Sequence, residues 1–166
     1  MVRGRIVLSL VEVMGAFPSL ARRILEENGL GGVAPDDWVP LDRWLACFTT
    51  VAERVGPNTV VAVGRHLGSS GPPPHDAETL EAAFAHLDEA YRSVHQGDVG
   101  HYHSISTGRR TLTIVASTPY PPSFDEGVIQ ALVERFEPDA IFDVRLDPSA
   151  ESRRRGGASC TFLVTW

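Results

Sequence analysis

Between Thr111 and Phe136 the stretch TLTIVASTPYPPSFDEGVIQALVERF switches its hydrophobic pattern once, and that switch constrains the fold more than any other feature. The apolar, β-branched run Thr111 to Ser117 has strand character, and Pro119, Pro121 and Pro122 stop it. Ser123, followed three residues later by Glu126, has capping-box spacing. Val128, Ile129, Leu132, Val133 and Phe136 then fall on one side of a helix that Pro138 closes. The stretch predicts a strand, a proline turn and a capped helix in succession.

Upstream the pattern is helical. Val7, Leu10, Val11 and Met14 share one face, and Phe17, Leu20, Ala21, Ile24 and Leu25 repeat it before Gly29 offers a C-terminal cap. Gly29 to Pro40 reads as a connecting loop. Leu41, Trp44, Leu45, Phe48, Val51, Ala52 and Val55 make a strong stripe ending at Gly56. Pro57 opens a fourth helix through Val60, Val63, Gly64 and Leu67, stopped by Gly68 to Pro74, a run too rich in Gly and Pro to pack. From Asp76, a plausible N-cap, Leu80, Ala83, Phe84, Leu87, Tyr91 and Val94 predict a fifth helix with Tyr91 on its buried side.

After Gly97 the period becomes alternating. Val99 to Ser106 and Arg110 to Ser117 read as a hairpin turning at Thr107 and Gly108; Ala140 to Leu146 and Ser159 to Trp166 follow the capped helix, joined by the polar stretch Asp147 to Gly157. About five helices followed by strand, strand, helix, strand, strand predict an α+β fold: a helical part over residues 1–96, then a mainly antiparallel four-stranded sheet with one crossover helix over 97–166.

A chain of 166 residues with 43% apolar and 22% charged residues can bury one sizeable core and reads as one domain. A net charge of −6 and a pI near 5.4 argue against a general nucleic-acid or membrane-surface binder. Cys47 and Cys160 lack CxxC spacing, so neither a zinc site nor a disulfide framework is expected, and a reducing cytoplasm fits. Glu12 interrupts the apolar opening, and no run reaches membrane-spanning length.

Several clusters bear on chemistry. His101 and His103, i and i+2 on a strand, share a face and suit a metal or a proton shuttle, but no third ligand lies at fixed spacing, and a solvated strand face is the ordinary alternative. Tyr91 and His95 are four apart on one helix; either the phenol is simply core or the pair forms the polar end of a pocket, with His95 as partner of the hydroxyl. Trp38, Trp44, Phe48 and Phe84 wall either a cavity or plain core. Arg153, Arg154 and Arg155 are a solvated loop or a contact for an anion or an acidic partner. The glycine-rich Gly64 to Gly71 lacks the ending of a phosphate-binding loop.

In these residues and their order the chain resembles the haem-nitric-oxide-binding (H-NOX) family and its haemless, 4-vinyl-reductase-type relatives. GRIVLSLVEVMGAFPSLARRILEENGL is similar to the family's N-terminal helical pair, and LDEAY at Leu87 to Tyr91 resembles the segment leading to its haem-ligating histidine, with Tyr91 at the ligand position. The family's Tyr-x-Ser-x-Arg motif, which holds the haem propionates, falls on Val115, Ser117 and Pro119, so only the serine matches. Cys160 is the one cysteine in the C-terminal region, where the 4-vinyl-reductase-type relatives carry candidate ligand positions. The resemblance implies a single H-NOX-like domain over residues 1–166. Iron porphyrin needs an axial donor and groups for its propionates, so the loss of both signatures implies no haem cofactor.

The expectation is a non-catalytic sensory or adaptor domain that binds a small apolar ligand, a protein partner or a second copy of itself, with Tyr91, His95, Trp44, Phe48, Phe84 and Ser117 as pocket candidates. Two alternatives stay open: a haem gas sensor with a non-standard axial ligand, and an enzyme using His101 or His103 as base with Tyr91 as acid.

Overall fold

The computed structural model describes residues 1–71 and 77–166. A two-residue strand β1 (Val2–Arg3) leads into helices α1 (Gly4–Val13) and α2 (Pro18–Glu27), then β2 (Trp38–Val39), α3 (Leu41–Arg54) and α4 (Pro57–Ser70). Helices α5 (Leu80–Ala85) and α6 (Leu87–Ser93) precede the hairpin β3 (Tyr102–Gly108) and β4 (Thr111–Ala116). Helix α7 (Pro122–Phe136), β5 (Asp143–Leu146), a 3-10 turn (Arg153–Arg155) and β6 (Cys160–Thr165) complete the α+β fold.

The four-stranded sheet runs β3-β4-β6-β5, every neighbouring pair antiparallel. Strands β4 and β5 therefore flank β6, and α7 is the crossover between them. Alternation decides the inner face: Leu112, Ile114 and Ala116 of β4 stand opposite Val164, Phe162 and Cys160 of β6, and all six are buried. Helix α3 presents Trp44, Cys47, Phe48 and Val51 to the same core, at the spacing its sequence predicts. Helix α2 ends as expected, with Gly29 at positive φ and the backbone of Gly29 and Leu30 donating to Glu26 and Leu25.

Five local expectations need correction. Ser123 does not cap α7; the helix starts at Pro122, whose fixed φ and missing N–H suit the first helical position, and the cap residue is Pro121. Helix α4 continues through Gly68 to Ser70, because α7 packs against Gly64 and Gly68. The long fifth helix is two short ones broken at His86, the first capped by the Thr79 hydroxyl, which accepts from Ala82 N–H at 3.2 Å; Asp76 lies outside the described residues. The hairpin turns two residues later than predicted, at Arg109 and Arg110, because the ladder shifts register between Ser106 and Gly108 and Gly108 pairs with Thr111. Finally, the loop after Gly29 contains β2, which pairs with β1 and holds Trp38 beneath the Arg3 guanidinium at 4.1 Å. Two-residue strands leave no periodic signal.

Candidate ligand cavity at Tyr91

Helix α6 ends at Ser93, which leaves its last carbonyls in need of donors. His95 supplies one: its Nδ1 lies 2.7 Å from the Tyr91 carbonyl, while Nε2 lies 2.7 Å from the Tyr120 hydroxyl. A carbonyl only accepts, so Nδ1 carries the proton, Nε2 is the acceptor and Tyr120 donates to it. Burial lowers the His95 pKa to about 4 against the opposing pull of its bond to Tyr91, so the ring is neutral at ordinary pH. Every hydrogen-bonding site of this imidazole is therefore in use.

Tyr91 and His95 do meet, stacked with ring centroids 4.1 Å apart. The hydroxyl partner differs from the one predicted: Tyr91 donates to the Val99 carbonyl at 2.6 Å, because the His95 ring is committed elsewhere. Burial and the nearby Asp125 carboxylate raise the Tyr91 phenol above its ordinary value. Tyr102 and Tyr120 meet the same ring edge-on, and Tyr120 stacks on Phe124 at 4.3 Å.

Beside this cluster lies a cavity of about 130 Å³. Ile6 of α1, Leu67 of α4, Leu87 and Tyr91 of α6, and Phe124 and Leu132 of α7 wall it, with His95 and Tyr102 at its polar side. Of the predicted pocket residues, Tyr91 and His95 line it; Trp44, Phe48, Phe84 and Ser117 do not. Trp44 and Phe48 are core, their rings 4.6 Å apart, and Phe48 packs edge-on to Phe124. Phe84 lies on the buried face of α5, and Ser117 is tied by its backbone to the His101 carbonyl at 2.9 Å.

A second polar cluster abuts the first. Asp125, in the first turn of α7, is fully buried. It accepts from the Tyr102 hydroxyl at 2.5 Å, from the Thr118 hydroxyl at 3.1 Å to both oxygens, and from the Arg153 guanidinium. Burial raises its pKa to about 6, with Arg153 and the hydroxyls pulling the other way. Arg153 also donates to the Ala116 carbonyl, and its Nε is buried without a partner among the described residues. The reading of Arg153 as a surface contact is thus overturned: its side chain is 14% exposed and neutralises a buried carboxylate. Arg154 and Arg155 remain exposed.

His101 and His103 are exposed and are not brought to Tyr91; the residue between them, Tyr102, is the one that turns inward. No group of three His, Cys, Asp or Glu side chains suited to a metal forms among the described residues. Both cysteines are buried, and burial pushes the Cys47 thiol up to about 12. Among the described residues no helix is long and apolar enough to cross a membrane.

Sequence reasoning missed Tyr102, Thr118, Tyr120 and Asp125. Strict alternation about His101 and His103 was the available signal for Tyr102. Tyr120 sits among prolines that read only as a turn, and an acid in a first helical turn ordinarily faces water.

No protein-family model matches the sequence, and a search of curated proteins finds no match. An H-NOX protein from S. oneidensis in its Fe(II) ligation state matches with a TM-score of 0.76 at 16% identity, over 98% of this chain and 95% of that one. An H-NOX protein from the same organism in its Fe(II)NO ligation state matches at 0.74 and 15%, over 98% and 97%. A mutant of the T. tengcongensis H-NOX gives 0.71 and 14%, over 98% and 96%. This chain has the H-NOX fold over nearly its whole length.

Proposed function

We propose that the chain is a haemless, non-catalytic sensory or adaptor module, in which a small apolar molecule occupies the cavity at Tyr91 and shifts the domain between states that a partner protein or a second copy distinguishes. The observation that carries the reading is the cavity itself. At about 130 Å³ it is far below the ~300–1,000 Å³ that a drug-sized ligand needs, and a porphyrin is larger still. Its volume is close to that of an apolar void of about 150 Å³ that takes up benzene or xenon.

On this reading the residues present do not fit an iron porphyrin. An axial ligand needs a free lone pair, and the one on His95 is taken by Tyr120. Ligation by Tyr91 requires loss of a proton that burial and Asp125 both retain. At the position corresponding to the propionate-binding motif only Ser117 remains, and the guanidinium that reaches the neighbouring Ala116 carbonyl, that of Arg153, is spent on Asp125.

A haem-carrying sensor is the competing reading, favoured by the H-NOX proteins among the structural matches. It requires Tyr91 or His95 to leave its present partner and the aromatic cluster to part. Titration of the purified protein with benzene and with indole, followed by amide NMR shifts, tests the ligand half. Saturable shifts at Leu87, Tyr91 and Leu132 with benzene are expected; their absence for both molecules contradicts it.

A further inference from the structure

Asp147 to Ser159, the connection between β5 and β6, lies at the surface except where Ser152 is buried against Cys160 and where Arg153 reaches inward to a fully buried carboxylate. We propose that Arg153 and Asp125 form a charge-controlled latch: ionised Asp125 holds the Arg153–Arg155 turn against the end of the sheet, and uptake of a proton by Asp125 releases it.

The two partners of the pair are not equivalent. Arginine keeps its charge at any pH a protein survives, so only Asp125 can change. Once Asp125 is neutral, the docked guanidinium is a buried cation with an uncompensated charge and an unsatisfied Nε, which is strongly unfavourable, whereas the undocked guanidinium returns to water. Linkage says the same in reverse. Because docking of Arg153 lowers the Asp125 pKa, protonation of Asp125 must weaken docking by the same factor.

The surroundings leave this titration isolated. Asp125 faces Tyr102 from β3, Thr118 and Tyr120 from the segment after β4, and Tyr91 from α6. Burial raises all three phenols, so they stay protonated, and His95 behind Tyr120 stays neutral down to about pH 4. The rest of the connection is fixed independently of charge on Asp125. Ser152 bridges to Cys160, and Glu151 accepts from the Ala158 N–H at 2.9 Å. Release is therefore confined to the turn carrying the exposed Arg154 and Arg155, which changes how these two cations are presented.

Amide exchange at Arg155, Gly156 and Gly157 reads the latch directly, since these N–H groups bond to the Ser152, Arg153 and Ser152 carbonyls at 2.9, 3.2 and 3.0 Å. After correction for intrinsic pH dependence, protection of these amides should fall on the order of tenfold or more on acidification through the Asp125 titration, while β6 amides stay protected. The midpoint should lie near the Asp125 value of about 6. Asp125→Asn should show the released turn at every pH. Equal protection above and below the midpoint, or an Asp125→Asn protein as protected at neutral pH as the parent, overturns the proposal. If Asp125→Asn does not fold, Arg153→Met takes its place. It should give low, pH-independent protection at the three amides, and a parent-like, pH-dependent profile in that variant also overturns the latch.

Discussion

Gly64 of α4 and the Phe124 carbonyl of α7 approach so closely that a Cβ on the glycine would lie 2.2 Å from that oxygen. Gly127 of α7 returns the contact, with its notional Cβ 2.2 Å from the Val61 carbonyl, and Gly68 is in the same seam against Val128 and Ala131. Backbone, not side chain, is the obstacle, so the helices must move apart to admit a methyl group. The Arg65–Glu134 pair, in which one guanidinium nitrogen donates to both carboxylate oxygens at 2.7 and 2.6 Å, sits along the same seam but is half-exposed and worth little by itself. Gly64→Ala should therefore destabilise the protein by about 1–3 kcal/mol in urea denaturation, through overpacking. A loss below about 0.5 kcal/mol, the range of a neutral surface change, would show that the seam is loose.

Tyr120→Phe removes the one donor to the buried His95 Nε2 among the described residues and leaves the ring otherwise in place. The expected cost is about 1–3 kcal/mol, the penalty for an unsatisfied buried acceptor. Chemical denaturation with unchanged m-value checks it.

His95 and Asp125 should pull the pH dependence of stability in opposite directions. The folded-state pKa of His95 is lowered to about 4, so its contribution is present above its unfolded value of about 6.5 and is lost as pH falls between the two. The pKa of Asp125 is raised to about 6 from 3.8, so its contribution is present at low pH and is lost as pH rises between the two. Each is worth up to about 3 kcal/mol, and they largely cancel between about pH 4 and 6. Relative to the parent, His95→Gln should gain stability on acidification through that window and Asp125→Asn should lose it, as measured by denaturant midpoints. Parallel curves for parent and both variants would contradict the assignment.

Leu132 is buried and walls the cavity. Leu132→Ala should cost about 2–5 kcal/mol and enlarge the void. Binding of a two-ring hydrocarbon such as naphthalene, absent in the parent, is the expected gain, read by ligand-observed NMR.

His101→Ala and His103→Ala together should change stability by less than about 0.5 kcal/mol and leave benzene binding intact, because both rings are exposed and the inward residue of that strand is Tyr102. A large effect on binding would revive the histidine-dependent reading.

The parts of this fold that were legible in the sequence are those where one physical rule acts alone. Trp44, Phe48 and Val51 mark α3 by period, Gly29 ends α2 by its positive φ, and Ile114 and Val115 alternate between faces of β4. Ser123 misled because two start signals compete at α7, and a proline at the first helical position settles the boundary before a side-chain cap can. The site was half legible. Tyr91 and His95 share a helical face at i and i+4, but their partners Val99 and Tyr120 are set by tertiary packing. The Arg153–Asp125 pair joins positions 28 residues apart, and a charge run before two glycines resembles any solvated loop. Cavity volume is a remainder after side chains pack, so no local pattern encodes it.

The central claim, that the pocket at Tyr91 does not take an iron porphyrin, is tested most directly by mixing the purified protein with haemin and scanning absorbance after gel filtration. No Soret band should co-elute with the protein. A stoichiometric band that survives filtration, and that Tyr91→Phe or His95→Gln abolishes, would contradict it.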